Sequence, residues 1–559
     1  MNMGATTSCG LLTLSLAAAL GCAPGEGPSG DGLEGVLASI TAEKLSEHIQ
    51  VLASDEFEGR LPGTPGEEKT IAYLVEEFER IGLQPGNRGS WVQEVPLVSI
   101  TADPNTRLTV TGDGETKGYA YGDEVVAWTK RVVDSVNLED SELVFVGYGT
   151  VAPEYDWNDY EGLDVRGKTV VVLVNDPGFA TQKPELFNGR SMTYYGRWTY
   201  KYEEAARQGA AAAFIVHQTE PAAYGWDVVE GSWTGPQFDM VREDNNMSRV
   251  QIEGWLSEET ARDLFERAGQ DLEALKAQAL TRDFEPVDLG LTVSMSLTNT
   301  IARSESNNVV ALLPGSDRPD EYVIYMSHWD HLGRDTLLEG DQIRNGALDN
   351  ASGTAALLEL AEAFTALNKR PARSIVFIPV TAEEQGLLGS AYYAANPVFP
   401  PDKTVAAINM DGLNIIGPMK DIVIVGYGNS ELDDYLIAAA ETQGRAVVPD
   451  PDAEKGYFYR SDQFSLAKVG IPALYTDTGD DHVEHGVEWT RQRKDEWIAK
   501  HYHKPSDEYS PEWDLRGAVE DVQLLFRVGY RLANQTSFPN WREGNEFKAR
   551  RDAMMSGTH

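Results

Sequence analysis

"EYVIYMSHWDHLG" occupies residues 321–333. Its first half is a short apolar run with aromatic and β-branched residues, which reads as a strand. Where the run stops, His328, Asp330 and His331 crowd into four positions, in a chain with only nine histidines. A histidine that merely caps a strand by hydrogen bonding would explain His328 alone. The surrounding sequence has to decide.

Working outward, further short apolar runs follow: "SIVFIPV" (374–380), "TVAAINM" (404–410) and "IPALYT" (471–476). Between them lie helical patterns, the strongest being "ASGTAALLELAEAFTAL" (351–367). Strands alternating with helices predict an α/β fold, with a mostly parallel central sheet covered by helices on both faces. Upstream, "EEKTIAYLVEEFERIGLQPG" places apolar residues at three- and four-residue steps and stops at Gly82 and Pro85, predicting a helix. Residues 115–290 differ in character. "ELVFVGYG", "KTVVVLVNDPG" and "AAAAFIVHQ" read as strands, with a helix-like "YKYEEAARQGA" between the last two. This predicts a separate β-rich insert. Its aromatic clusters, "MTYYGRWTYKYEE" and "AAYGWDVVEGSW", suit either the insert's own core or a surface overhanging the strand ends.

In open α/β sheets, ligands gather at the carboxyl ends of strands. His328 and Asp330 follow one strand, Glu383 and Glu384 the next, and Asp411 the third. Asp349 precedes the long helix in "NGALDNASG", and His503 lies beyond the last strand in "HYHKPSDEY". Carboxylates packed this densely repel one another unless cations hold them together. A His/Asp/Glu set without cysteine suits zinc, with cobalt or manganese as substitutes.

Bulk composition agrees with an ordinary globular chain of 559 residues, 42% hydrophobic and 24% charged. The net charge of −41 excludes nucleic acid as a partner, because nothing neutralises phosphates. The two cysteines, Cys9 and Cys22, both fall in the opening segment. There the run Leu11–Leu20 fits a secretory signal. "AALGC" is similar to a bacterial lipobox ending at Cys22, although no Lys or Arg precedes the run and Ala19 stands where Leu is usual. The expectation is an exported protein, periplasmic or outer-surface, lipid-anchored at Cys22 as its one membrane attachment. The divisions expected are 1–22 signal, 23–35 linker, 36–114 and 291–540 one α/β unit interrupted by the 115–290 insert, and 541–559 a tail.

The order His-x-Asp, Asp-Asn-Ala-Ser-Gly, Glu-Glu, Met-Asp-Gly and Tyr-His-Lys-Pro-x-Asp resembles the di-zinc aminopeptidase and glutamate carboxypeptidase family. The segment "LASDEFEGRLPGTPGEE" is similar to that family's entry segment, and the 115–290 insert, with "DVRGKTVVVLVNDPG" and "YEEAARQGAAAAFIVHQ", is similar to a protease-associated domain. The resemblance implies two Zn2+ per chain. His328 and Asp411 would bind one, Glu384 and His503 the other, with Asp349 bridging. It implies Glu383 as general base toward a metal-bridging water, and Asp330 as partner of the His328 ring N–H. Tyr502 would donate to the oxyanion, with Tyr457 and Tyr459 as rivals. It also implies a cis peptide at Asp349–Asn350. Gln463 departs from the pattern, which has histidine there. His331 reads as a pocket-wall or supporting residue, and His482, His485 and His501 as solvated or structural.

The expected activity is removal of N-terminal residues from peptides. A carboxypeptidase or dipeptidase is the near alternative, needing a cationic grip for which Arg197, Arg344 and Arg460 are available. Glutaminyl cyclisation with one zinc and a non-enzymatic relative complete the alternatives.

Overall fold

The computed structural model describes residues 30–112 and 114–557. The signal and lipidation expectations for residues 1–29 lie outside the described residues. Among those described, no helix is long and apolar enough to cross a membrane.

An eight-stranded sheet runs in the order 84–85, 311–313, 373–380, 318–328, 404–409, 473–477, 421–424, 446–449. Its four central strands are parallel, and antiparallel pairings appear toward the edges. All eight residues of Arg373–Val380 are buried, as expected of a strand covered on both faces. Alternation with period two divides the side chains between two cores. Val323 and Tyr325 join the core of Leu357, Phe364 and Phe526, under the helices Gly353–Thr365 and Arg516–Asn534. Ile324 and Met326 join the opposite core with Phe464 and Leu466. The predicted upstream helix spans Pro65–Ile81 and ends on Gly82 in the left-handed region, φ 91°.

A second, ten-stranded sheet takes in most of the sequence between these parts. It is built from 92–102, 125–128, 135–145, 169–173, 212–216, 237–240, 252–256 and 287–309 on its main path, with 107–112 and 115–120 alongside. The two sheets are joined by a ribbon. Val92–Ala102 pairs antiparallel with Asn299–Val309 across eleven positions. Two residues beyond Val309 the chain enters the first sheet at Ala311.

The aromatic clusters divide between two tasks. Trp128, Tyr202, Trp233 and Trp255 pack with one another inside the second sheet's own layer. Tyr194, Tyr195 and Tyr200 instead join the core that contains Ile324, Met326 and Phe464. Tyr194 stacks on Tyr459 at 6.2 Å, its backbone N–H donates to Glu546, and Met192 N–H donates to the Ala453 carbonyl. The loop that carries them is tied off by Asp176, which accepts from Gly178, Phe179 and both donors of Thr193.

Candidate metal centre

Each predicted site residue stands at the carboxyl edge of the first sheet. His328 is the last residue of Arg318–His328, Glu383 and Glu384 follow Arg373–Val380, and Asp411 follows Thr404–Asn409. Asp349 lies in the irregular turn before the long helix, and its peptide to Asn350 is cis. His503 sits beyond Gly486–Lys500 at φ 57°, and Ala382 before the glutamates at φ 53°. Both conformations are rare for residues with a Cβ and cluster at functional sites.

The side chains converge. His328 Nε2 lies 3.3 Å from Asp349 Oδ1 and 3.2 Å from Asp411 Oδ1. His503 Nε2 lies 3.3 Å from Asp349 Oδ2 and 3.2 Å from Glu384 Oε2. Asp349 therefore offers one oxygen to each of two donor groups. His331, Asp349 and Glu384 form a second three-donor group beside that of His328, Asp349 and Asp411.

The support around these donors is specific. Thr354 Oγ1 donates to the His328 carbonyl at 2.9 Å, and Ser461 Oγ to Asp411 Oδ2 at 2.6 Å. Asp507 accepts from the backbone N–H groups of Leu348 and Asp349 at 3.0 and 3.1 Å. Asn350 bonds the Met410 carbonyl and accepts from Gly412 N–H, tying the Asp349 turn to the Asp411 turn. The expected contact of Asp330 with the His328 ring is corrected. His328 Nδ1 meets the Asp330 backbone carbonyl at 3.1 Å, while the carboxylate is 3.9 Å away. The Asp330 carboxylate turns to the backbone N–H groups of Glu383 and Glu384, at 3.1 and 3.4 Å, and so holds the glutamate pair instead.

Charge is the dominant strain. Burial raises Asp330 to about 8 and Asp462 to about 7, and lifts Glu383 well above the usual carboxylate range, with neighbouring carboxylates adding to the shift of each. Both oxygens of Asp462, both ring nitrogens of His331 and Glu384 Oε1 are buried without a hydrogen-bond partner among the described residues. His331 Nδ1 stands 2.6 Å from that Glu384 oxygen, yet without hydrogen-bond alignment. Buried donor atoms left in this condition, on oxygen and imidazole ligands, fit divalent zinc-type cations.

Other candidates fall into place. Tyr502 is 39% exposed and stacks on His503 at 3.8 Å. Tyr459 donates to Glu546 at 2.8 Å and is buried, which takes it out of contention as a donor to substrate. Tyr457 lies under the Arg460 guanidinium at 5.1 Å. Gln463 is buried, accepting from Asn409 and donating to the Phe458 carbonyl. His482 accepts two backbone N–H groups, and His501 bonds the Ser506 carbonyl, as structural histidines do. Arg344 pairs with Asp335 at 3.0 Å. The sequence carries no sign of the tasks of Ser461 and Asp507, while His331, read as a pocket-wall or supporting residue, stands beside Glu384. The "HWDH" spacing was the one signal for the last.

Fold and donor set define an α/β chain with a candidate divalent-metal centre at the strand ends. Residues 308–526 match the model of Peptidase family M28. Among curated relatives, aminopeptidase NAALADL1 of Mus musculus is 38% identical over 136 residues, 23% of this chain and 17% of the mouse protein. The probable glutamate carboxypeptidase AMP1 of Arabidopsis thaliana is 28% identical over 428 residues, 75% of this chain and 56% of the plant protein. The chain thus spans less than two thirds of these relatives' own length. The solved aminopeptidase from Aneurinibacillus sp. strain AM-1 is 20% identical, covering 90% of this chain and 97% of that one, with a TM-score of 0.48.

Proposed function

We propose that the protein is a metal-dependent exopeptidase that removes N-terminal residues from peptides. The observation that carries this reading is the shared Asp349, one oxygen facing His328 and the other His503. His328, Asp349 and Asp411 would hold one zinc ion, and Asp349, Glu384 and His503 the second. Bound there, the cations supply Lewis-acid polarisation of the scissile carbonyl and lower the pKa of a water. Glu383 accepts the proton of the attacking water and returns it to the leaving amine. Asp330 fixes the Glu383 backbone for that transfer. Tyr502, beside His503, donates to the developing oxyanion. Residues 36–114 and 291–540 would form the peptidase unit and 115–290 a protease-associated insert that narrows the cleft. Short peptides are the partners, and export with a lipid anchor at Cys22 is the placement.

A second reading, carboxypeptidase or dipeptidase, is favoured by one observation. Arg197 and Arg460 have no carboxylate partner among the described residues, in a chain with 88 acidic against 47 basic residues. Arg460 immediately precedes Ser461, which touches Asp411. The test is a substrate panel on zinc-loaded protein: free peptides, N-acetylated peptides and C-amidated peptides. Loss on N-acetylation alone supports the aminopeptidase. Loss on C-amidation, abolished in Arg460→Ala, supports the second reading. No cleavage of any member sinks both.

A further inference from the structure

The segment "DEFEGR" has no task in the chemistry above, and it lies far upstream of the 308–526 family match. The structure folds Asp55–Arg60 into a tight turn, with Glu58 and Gly59 at φ 49° and 67°. A Cβ on Gly59 would stand 2.4 Å from the Arg344 carbonyl oxygen and 2.9 Å from Gly333 Cα. Only glycine fits, because the turn is wedged between the segment after His328 and the segment before Asp349.

Arg60 follows, 1% exposed. Nε donates to the Trp329 carbonyl at 2.8 Å. Nη1 donates to the carbonyls of Leu52 and Asn345 at 2.7 and 2.6 Å, and Nη2 to that of Gly346 at 2.8 Å. The Arg60 carbonyl accepts from His331 N–H at 3.3 Å. No carboxylate takes a guanidinium hydrogen among the described residues. Burial lowers this guanidinium to about 10, opposed by the nearby carboxylates of Asp507, Asp330, Asp349 and Glu384.

Arginines at carboxylate-rich sites ordinarily pair with a carboxylate. Here the rigid fork is used on backbone carbonyls from three different segments, two of which carry metal-site residues. Trp329 stands between His328 and Asp330, and Gly346 stands in the turn that delivers Asp349. Fixing those carbonyls fixes the distance between the two backbones that present the paired donors. A lysine has one point of attachment and cannot span them.

We propose that Arg60 is a positioning residue of the metal centre, setting the spacing of His328 and Asp349 by holding both of their backbone segments. The proposal rests on the metal-site reading above, and not on which peptide end is recognised.

The test uses the full chain carrying Arg60→Lys or Arg60→Met. Three readouts are taken: cation titration of chelator-treated protein, the absorption spectrum with Co2+, and the thermal midpoint without metal. Both variants should bind the weaker cation about 10- to 100-fold less tightly, the range for groups that orient ligands. Both should shift the Co2+ spectrum, and kcat should fall more than KM rises. A merely structural role would lower the metal-free midpoint and leave affinity and spectrum unchanged, which overturns the proposal. A role through charge alone would leave Arg60→Lys at wild-type affinity and tighten cation binding in Arg60→Met, which also overturns it. If neither variant folds, amide exchange of the unmutated protein decides. Coupling is reciprocal, so Zn2+ should slow exchange at residues 57–61 by at least about threefold. An unchanged rate overturns the proposal. Unmutated protein that binds two cations and cleaves no peptide would remove the peptidase reading and leave this one standing.

Discussion

Ser461 Oγ donates to Asp411 Oδ2 at 2.6 Å, and Asn409 Nδ2 in turn donates to Ser461 Oγ at 2.7 Å. The hydroxyl leaves Asp411 Oδ1 directed at His328. Ser461→Ala should therefore weaken cation binding at the His328 side by about tenfold, the lower end for groups that orient a ligand. Titration of the metal-free variant with Zn2+ measures it. Wild-type affinity would show that Asp411 needs no such guide.

Glu383→Gln should keep both cations and lose about 10²–10⁴ in kcat, because the amide retains the shape and cannot accept a proton. Metal analysis and turnover on the same preparation are the measurements. Near-normal turnover would reject the base.

Asp349→Ala should lower bound zinc from two per chain to less than one, since both donor groups use this carboxylate. Chelation of the unmutated protein should abolish activity, and Zn2+ or Co2+ should restore it. Plasma emission spectrometry counts the metal. Retention of one full equivalent by the variant would show that the two positions do not share Asp349.

Gln463→Ala should leave metal content intact and cost about 1–3 kcal/mol of stability, the penalty for stranding buried partners. The partners are Asn409 Nδ2 and the Phe458 carbonyl. Denaturant unfolding reads the loss. A drop in zinc affinity without one in stability would place Gln463 in the site itself.

Asp159, 2% exposed, accepts from Thr150 N–H and the Trp157 indole, and burial raises it to about 7. A carboxyl whose folded pKa exceeds its unfolded value contributes stability below the unfolded value, near 4, that is lost as pH rises through the folded one. The unfolding free energy should fall by about 2–4 kcal/mol from this group between pH 4 and pH 8. Asp159→Asn should flatten that part of the profile. Parallel profiles for the two proteins would remove Asp159 as the source.

The central strands and the donors at their ends were legible because each is local: an apolar run, then one or two polar residues. His328, Glu383, Glu384 and Asp411 could be placed that way, while Asp349 and His503 were read from their motifs before the long helix and beyond the last strand. Arg60 could not, because its partners Trp329 and Gly346 are distant in the chain and are backbone carbonyls, which leave no trace in side-chain identity. The turn of the Asp330 carboxylate away from His328 depends on a side-chain torsion that spacing does not reveal. The aromatic clusters divide for a similar reason. Trp198 and Tyr194 look alike in sequence, yet Trp198 packs on Trp233 and Tyr194 on Tyr459, partners distant in the chain.

The ribbon of Val92–Ala102 and Asn299–Val309 has a mechanical meaning. A swinging door needs a few residues free to change φ and ψ, and eleven consecutive cross-strand pairs supply none. Under the proposal that residues 115–290 narrow the cleft, movement of that insert must be elastic, a flexing of twisted β-structure that stores load along its whole length. Access to the zinc-type centre would then be governed by a leaf spring, with small excursions that always return, and a substrate that needs the cleft wide open would be excluded by stiffness rather than by shape.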